Sequence, residues 1–87
     1  MTNQEIRCAI LKYIYDEKKA GNEFAMAVVK RITKDYKVDI KRVRSIFLRD
    51  LPKEGLIETR SPWGTSATDA VITEKGIREY MEKCKGG

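Results

Sequence analysis

Between Asn3 and Lys19, apolar side chains recur at helical spacing, and Ile6, Ala9, Ile10 and Tyr13 make one stripe. A second set, Cys8, Leu11 and Tyr15, falls on the opposite side when successive residues are turned by about 100°. A helix that is apolar on two faces must be covered on both. Ala20-Gly21-Asn22 ends it, with Gly21 suited to the position just past a helix. The next periodic stretch lies within residues 22–35. Phe24, Ala25, Val28, Val29 and Ile32 form its inner face, Tyr36 stands just beyond, and Lys30 and Lys34 fall outside. The run KDYKVD, Lys34 to Asp39, breaks the period and reads as a short turn.

Asp39 then offers a side-chain oxygen to the free backbone N–H groups of a third helix. Ile40, Val43, Ile46, Phe47 and Leu51 are expected to point inward, with Lys41, Arg42, Ser45 and Arg49 opposite and Arg44 near the boundary. Pro52 and Gly55 close this helix. Two strands follow, Leu56 to Arg60 and roughly Thr68 to Ile72. Ser61-Pro62-Trp63-Gly64 between them fits a type I turn. The loop is too long to fix the strand register. A last helix begins at Thr73, a good N-cap, and carries Ile77, Tyr80, Met81 and Cys84 on one side. The tail Lys85-Gly86-Gly87 is expected to fray.

With 87 residues this is enough chain for one domain with one modest core. No apolar run has the length of a membrane span, and MTNQEIR opens directly into a helical pattern rather than a signal-peptide layout. The expected setting is cytoplasmic, free or nucleoid-associated. The 36% charged residues and the single glutamine, Gln4, lean toward a thermophilic composition. The net charge is +5, and residues 22–54 carry nine basic against five acidic groups, so that segment contributes nearly all of the excess. Concentrated charge of that kind suits a polyanionic partner, while the plainer reading is a solvated charged surface.

Two stretches carry a resemblance. LPKEGLIE (Leu51 to Glu58) is similar to the L-x-x-x-G-L-I signature that joins the recognition helix to the wing in winged helix-turn-helix domains. ITEKGIREYM (Ile72 to Met81) is similar to the L-T-x-x-G segment that follows the wing in MarR- and PadR-like regulators. With the turn between the second and third helices, the resemblance covers nearly the whole chain. It departs from the pattern at Pro52, where a helix former is more usual, and it lacks the long extra helices with which many such regulators dimerise. The implied fold class is α+β: a winged helix-turn-helix with a three-helix core, a two-stranded β-hairpin wing and a C-terminal helix, as one domain over residues 1–87.

The resemblance implies double-stranded DNA as the partner and transcriptional regulation as the function. A recognition helix at about residues 39–51 would enter the major groove, and a wing at about residues 56–72 would lie on the backbone or minor groove. Lys41, Arg42, Ser45 and Arg49 then form the reading face: an arginine can bond guanine bidentately, and a serine is short enough to let the backbone approach a base. Arg44, Lys53 and Arg60 are flanking phosphate contacts. Backbone N–H groups near Asn22 could also hold a phosphate. Trp63, the only tryptophan, sits at the wing tip, where it meets DNA, folds back over Pro62, or contacts a protein. The rival reading is a winged helix used as a protein-interaction module in a larger assembly.

The second face of the first helix also needs a cover. Cys8, Leu11 and Tyr15 can meet Tyr80, Met81 and Cys84 within one chain, or the two faces can build a homodimer, which is the favoured reading because related regulators use their terminal helices so. Cys8 and Cys84 default to buried reduced thiols, with a disulfide as the alternative if the chain ends pack together. There is no histidine, no glycine-rich phosphate loop and no reactive-thiolate setting, so neither catalysis nor a cofactor, metal or small-molecule effector is expected.

Overall fold

The computed structural model describes residues 1–60 and 69–85. In chain order it contains α1 (Asn3–Lys19), α2 (Val28–Tyr36), α3 (Ile40–Ser45), a π-helical stretch π1 (Ile46–Asp50), α4 (Leu51–Lys53), β1 (Ile57–Arg60), β2 (Asp69–Ile72), α5 (Glu74–Glu79) and a second π-helical stretch π2 (Tyr80–Lys85). The architecture is mixed α+β: helices packed around α1, with a two-stranded antiparallel sheet between α4 and α5. No described helix is long and apolar enough to cross a membrane. The turn expected at residues 61–64, and Trp63 with it, lies outside the described residues.

α1 starts in a reciprocal cap. The Glu5 N–H donates to Thr2 Oγ1 at 3.1 Å, and the Thr2 N–H donates to Glu5 Oε1 at 2.8 Å. Ile6, Ala9, Ile10, Leu11 and Ile14 are all buried, so the helix is covered on both of its apolar sides. Each large aliphatic side chain buried in this way contributes roughly 1.5–3 kcal/mol. Arg7 adds a polar tie. Its guanidinium meets Glu54 through two hydrogen bonds, at 2.5 and 2.8 Å, and lies 3.5 Å from Glu79. One side chain therefore joins α1, the end of α4 and α5.

The second helix is shorter than its periodicity suggests. It begins at Val28, because Ala25 pairs with Ala70 of β2 through hydrogen bonds of 2.7 and 3.0 Å. Ala25 thus belongs beside the sheet, and Phe24 to the bend that precedes it. Ala27, with φ +52°, separates them from the helix. Apolar spacing alone does not reveal this, since two adjacent apolar residues fit a strand edge as well as a helix face.

α2 ends at Lys37, whose φ of +54° turns the chain toward α3. Asp39 caps α3 as expected, accepting from the Lys41 N–H at 3.1 Å. α3, π1 and α4 form one continuous rod. Within it the Leu51 N–H reaches back five residues to the Ile46 carbonyl. That wide turn answers the anomaly of Pro52. A proline in a helix has no N–H and its ring collides with the carbonyl four residues earlier; a π turn relaxes that crowding. Val43, Ile46, Phe47 and Leu51 are buried as expected, but Ile40 is 47% exposed and does not join the core.

β1 and β2 pair in the register Ile57↔Ile72, Glu58↔Val71, Thr59↔Ala70 and Arg60↔Asp69. Ile57, Ala70 and Ile72 turn toward the core. α5 is capped by Thr73, which accepts from the Gly76 N–H at 3.0 Å. The continuation π2 returns along α1. There Tyr80 packs at a tilt against Tyr15 with ring centroids 5.2 Å apart, and Cys84 forms a disulfide with Cys8 across a Cα–Cα distance of 5.4 Å. The expectation of free thiols is therefore corrected. The chain ends do pack together, and the two cysteines expected on separate apolar faces are bonded to each other.

Candidate nucleic-acid interface

The rod from Ile40 to Lys53 is held from behind by Val43, Ile46, Phe47 and Leu51, which leaves its other side open. Residues four apart on a helix share a face, so the open side carries two rows, Lys41–Ser45–Arg49 and Ile40–Arg44–Leu48. Lys41, Arg44, Leu48 and Arg49 are exposed, and Ser45 is half-buried between them. Among the described residues Lys41, Arg44 and Lys53 have no ion-pair partner. Among the described residues Arg49 pairs with its neighbour Asp50, at 3.3 Å, and its side chain stays 75% exposed. A strip of cations on one side of a braced helix, with few internal acids to neutralise them, presents a positive field to solvent.

Arg42 departs from the expected grouping. Its Nη2 donates to the Met1 carbonyl at 2.8 Å and to Asn3 Oδ1 at 2.9 Å. The side chain is exposed but turned toward the N-terminus, where it braces the start of α1 against α3. Arg60 is engaged as well. Its guanidinium lies 3.9 Å from the centre of the Phe24 ring and 3.9 Å from the Asp69 carboxylate opposite it in the sheet. A cation stacked on an aromatic face and facing a largely buried carboxylate has less charge to offer a phosphate than a free one. Lys53 is exposed at the far end of the rod, and Lys30 and Lys34 are exposed on α2.

The backbone site expected near Asn22 does not form, because α2 starts at Val28 and the Asn22 side-chain amide donates to Glu17 at 2.5 Å. Two residues absent from the expected site stand out instead. Leu48, 43% exposed, lies on the open face one turn past Arg44, and Ile40, expected in the core, lies one turn before it. The sequence does hold a signal for Leu48, since it follows Arg44 by four residues and Lys41 by seven.

Of the residues expected at a homodimer interface, two are buried within one chain and four are partly buried. Leu11 is 1% exposed and Tyr80 7%, Tyr15 and Met81 are half-buried against the core, and Cys8 and Cys84 are joined. Among the described residues no group of histidine, cysteine, aspartate or glutamate is arranged to hold a metal ion. Comparison with protein-family models, curated proteins and solved structures finds no match for the chain.

Proposed function

We propose that this protein binds double-stranded DNA as a small transcriptional regulator, with the rod Ile40–Lys53 in the major groove and the β1–β2 sheet as the base of a wing beside it. One observation carries the reading: the rod that follows the α2–α3 turn exposes Lys41, Arg44 and Arg49, with Ser45 among them, on one side while its other side is rooted in the core. The major groove admits a helix of this kind and presents acceptors to its donors. Arg44 and Arg49 have the reach and fork geometry for guanine, and Lys41 neutralises a phosphate near the start of the helix. Lys30, Lys34 and Lys53 flank the groove as backbone contacts. Arg42 acts as the brace for this helix rather than as a reader. Occluding a promoter is the simplest mode of action, since it needs occupancy alone.

The test is selection of duplexes from a random-sequence pool, read at two salt concentrations. A sequence-restricted pool and a steep fall of affinity with salt are expected. Replacing Lys41, Arg44 and Arg49 together by alanine should lower affinity and flatten the salt dependence, by about one unit of slope for each phosphate no longer neutralised. A triple variant that keeps wild-type affinity and slope refutes the assignment. A second reading, a protein-interaction module, is favoured by the exposure of the large apolar side chains Tyr36, Ile40 and Leu48. It predicts that no duplex is retained at either salt concentration.

A further inference from the structure

The open face of the rod is not uniformly polar. Leu48 stands on it, 43% exposed, in the row Ile40–Arg44–Leu48 and beside Arg49 of the neighbouring row. Core packing does not account for it, because Val43, Ile46, Phe47 and Leu51 already fill the inward side of the same helix. A single exposed leucine needs no explanation on an ordinary surface. Here it lies among Lys41, Arg44, Ser45 and Arg49, and on π1, a widened helical stretch of a type that recurs at functional sites.

In the major groove the apolar group that distinguishes one base from the others is the C5-methyl of thymine. The donors of lysine and arginine do not recognise it, and an aliphatic side chain does. We propose that Leu48 packs against a thymine methyl and makes the protein select thymine at one position of its site. This rests on the DNA-binding reading above and adds a specificity-determining residue to it. Arg44 and Arg49 set the helix against the backbone and the guanine edges, and Leu48 then excludes water from one methyl group between them. Ile40, at the other end of the row and next to the Lys37–Asp39 turn, lies at the margin of that contact.

The experiment takes the duplexes retained from the random pool and re-synthesises them with deoxyuridine in place of thymine, which removes only the methyl groups. Wild-type protein should bind the thymine duplexes about fourfold more tightly for each methyl contacted. Leu48→Ala and Leu48→Gln should bind thymine and deoxyuridine duplexes equally while keeping the wild-type salt dependence. Leu48 and Ile40 are both solvent-exposed, and melting by circular dichroism verifies that each variant is folded. The proposal is overturned if wild type does not distinguish the two duplexes, if both leucine variants keep the wild-type ratio, or if the preference disappears in Ile40→Ala instead. Failure to retain any duplex overturns the DNA-binding reading as well, and is seen in the selection before any thymine is replaced.

Discussion

Gly76 sits directly against the Leu56 carbonyl: a Cβ at position 76 would overlap that oxygen and would also press on Ile72 Cγ1. The same carbonyl accepts from the Thr73 N–H at 3.0 Å, and the Thr73 hydroxyl donates to the Gly55 carbonyl at 2.6 Å. The start of α5 is thereby clamped to the point where the helical rod becomes β1. This gives a physical reason for the glycine in the ITEKG stretch. Only a residue without a side chain lets the two backbones meet.

Gly76→Ala should therefore destabilise the fold by about 3 kcal/mol, at the upper end of overpacking effects, because the obstacle is backbone and cannot swing aside. Urea denaturation measures it as a lower midpoint. A midpoint equal to wild type would mean that α5 does not approach β1 this closely.

Lys37 ends α2 in the left-handed region, with φ +54° and ψ +45°, where an L side chain crowds its own carbonyl. Glycine adopts that geometry freely. Lys37→Gly should stabilise the protein by about 0.5–1 kcal/mol, raising Tm by about 4 °C, after allowance for the greater freedom of glycine in the unfolded chain. A fall in Tm would show that the turn between α2 and α3 has another backbone conformation.

The Cys8–Cys84 bond joins residues 76 positions apart. In the chain-entropy account a loop of that size stabilises by about 4 kcal/mol. Reduction, or the pair Cys8→Ser and Cys84→Ser, should lower Tm by about 15–30 °C. The check is thermal melting with and without a phosphine reductant. If reductant leaves the melting curve of wild type unchanged, the bond is not contributing.

Glu54 sits in the grip of Arg7, whose hydrogen bonds hold its carboxyl below the ordinary glutamate range. A carboxyl depressed in the folded state binds fewer protons there than in the unfolded chain. Its contribution is present above the unfolded value, about 4.3, and disappears as pH falls through the lower folded value. Glu54→Gln should therefore melt at a lower temperature than wild type at neutral pH, with the gap closing below about pH 4. The gap stays modest because the Glu54 side chain is 44% exposed. Glu5, whose carboxyl is lowered by its bonds to Thr2, shifts in the same direction and keeps some acid sensitivity in the variant. A constant gap from neutral to acid pH would rule out the Arg7–Glu54 pair as its source.

Elements with strong periodicity or a cap are legible in the sequence. α1 spans the expected residues because its two apolar stripes are both real, and Asp39 and Thr73 cap α3 and α5 because their neighbours leave N–H groups open. The start of α2 is not legible, since the Ala25–Ala70 pairing depends on a partner 45 residues away. Nor is the role of Arg42, whose contacts to Met1 and Asn3 span 41 and 39 residues. A helical wheel shows which way a side chain leaves its helix, and it is blind to what another element brings there. The same limit applies to Arg60, which periodicity places on a strand but only the folded chain places on Phe24. The rows Lys41–Ser45–Arg49 and Ile40–Arg44–Leu48 are within reach of counting by fours; Leu48 escapes notice there because leucine is habitually assigned to the core.

The bond between Cys8 and Cys84 has a topological effect separate from its energy. It closes the segment from Cys8 to Cys84 into a covalent ring, so a protease that cuts once between those positions produces no separable pieces. The nicked protein would keep its full mass on a non-reducing gel and fall into two bands only when thiol is added, which makes the ring itself visible without any structure determination.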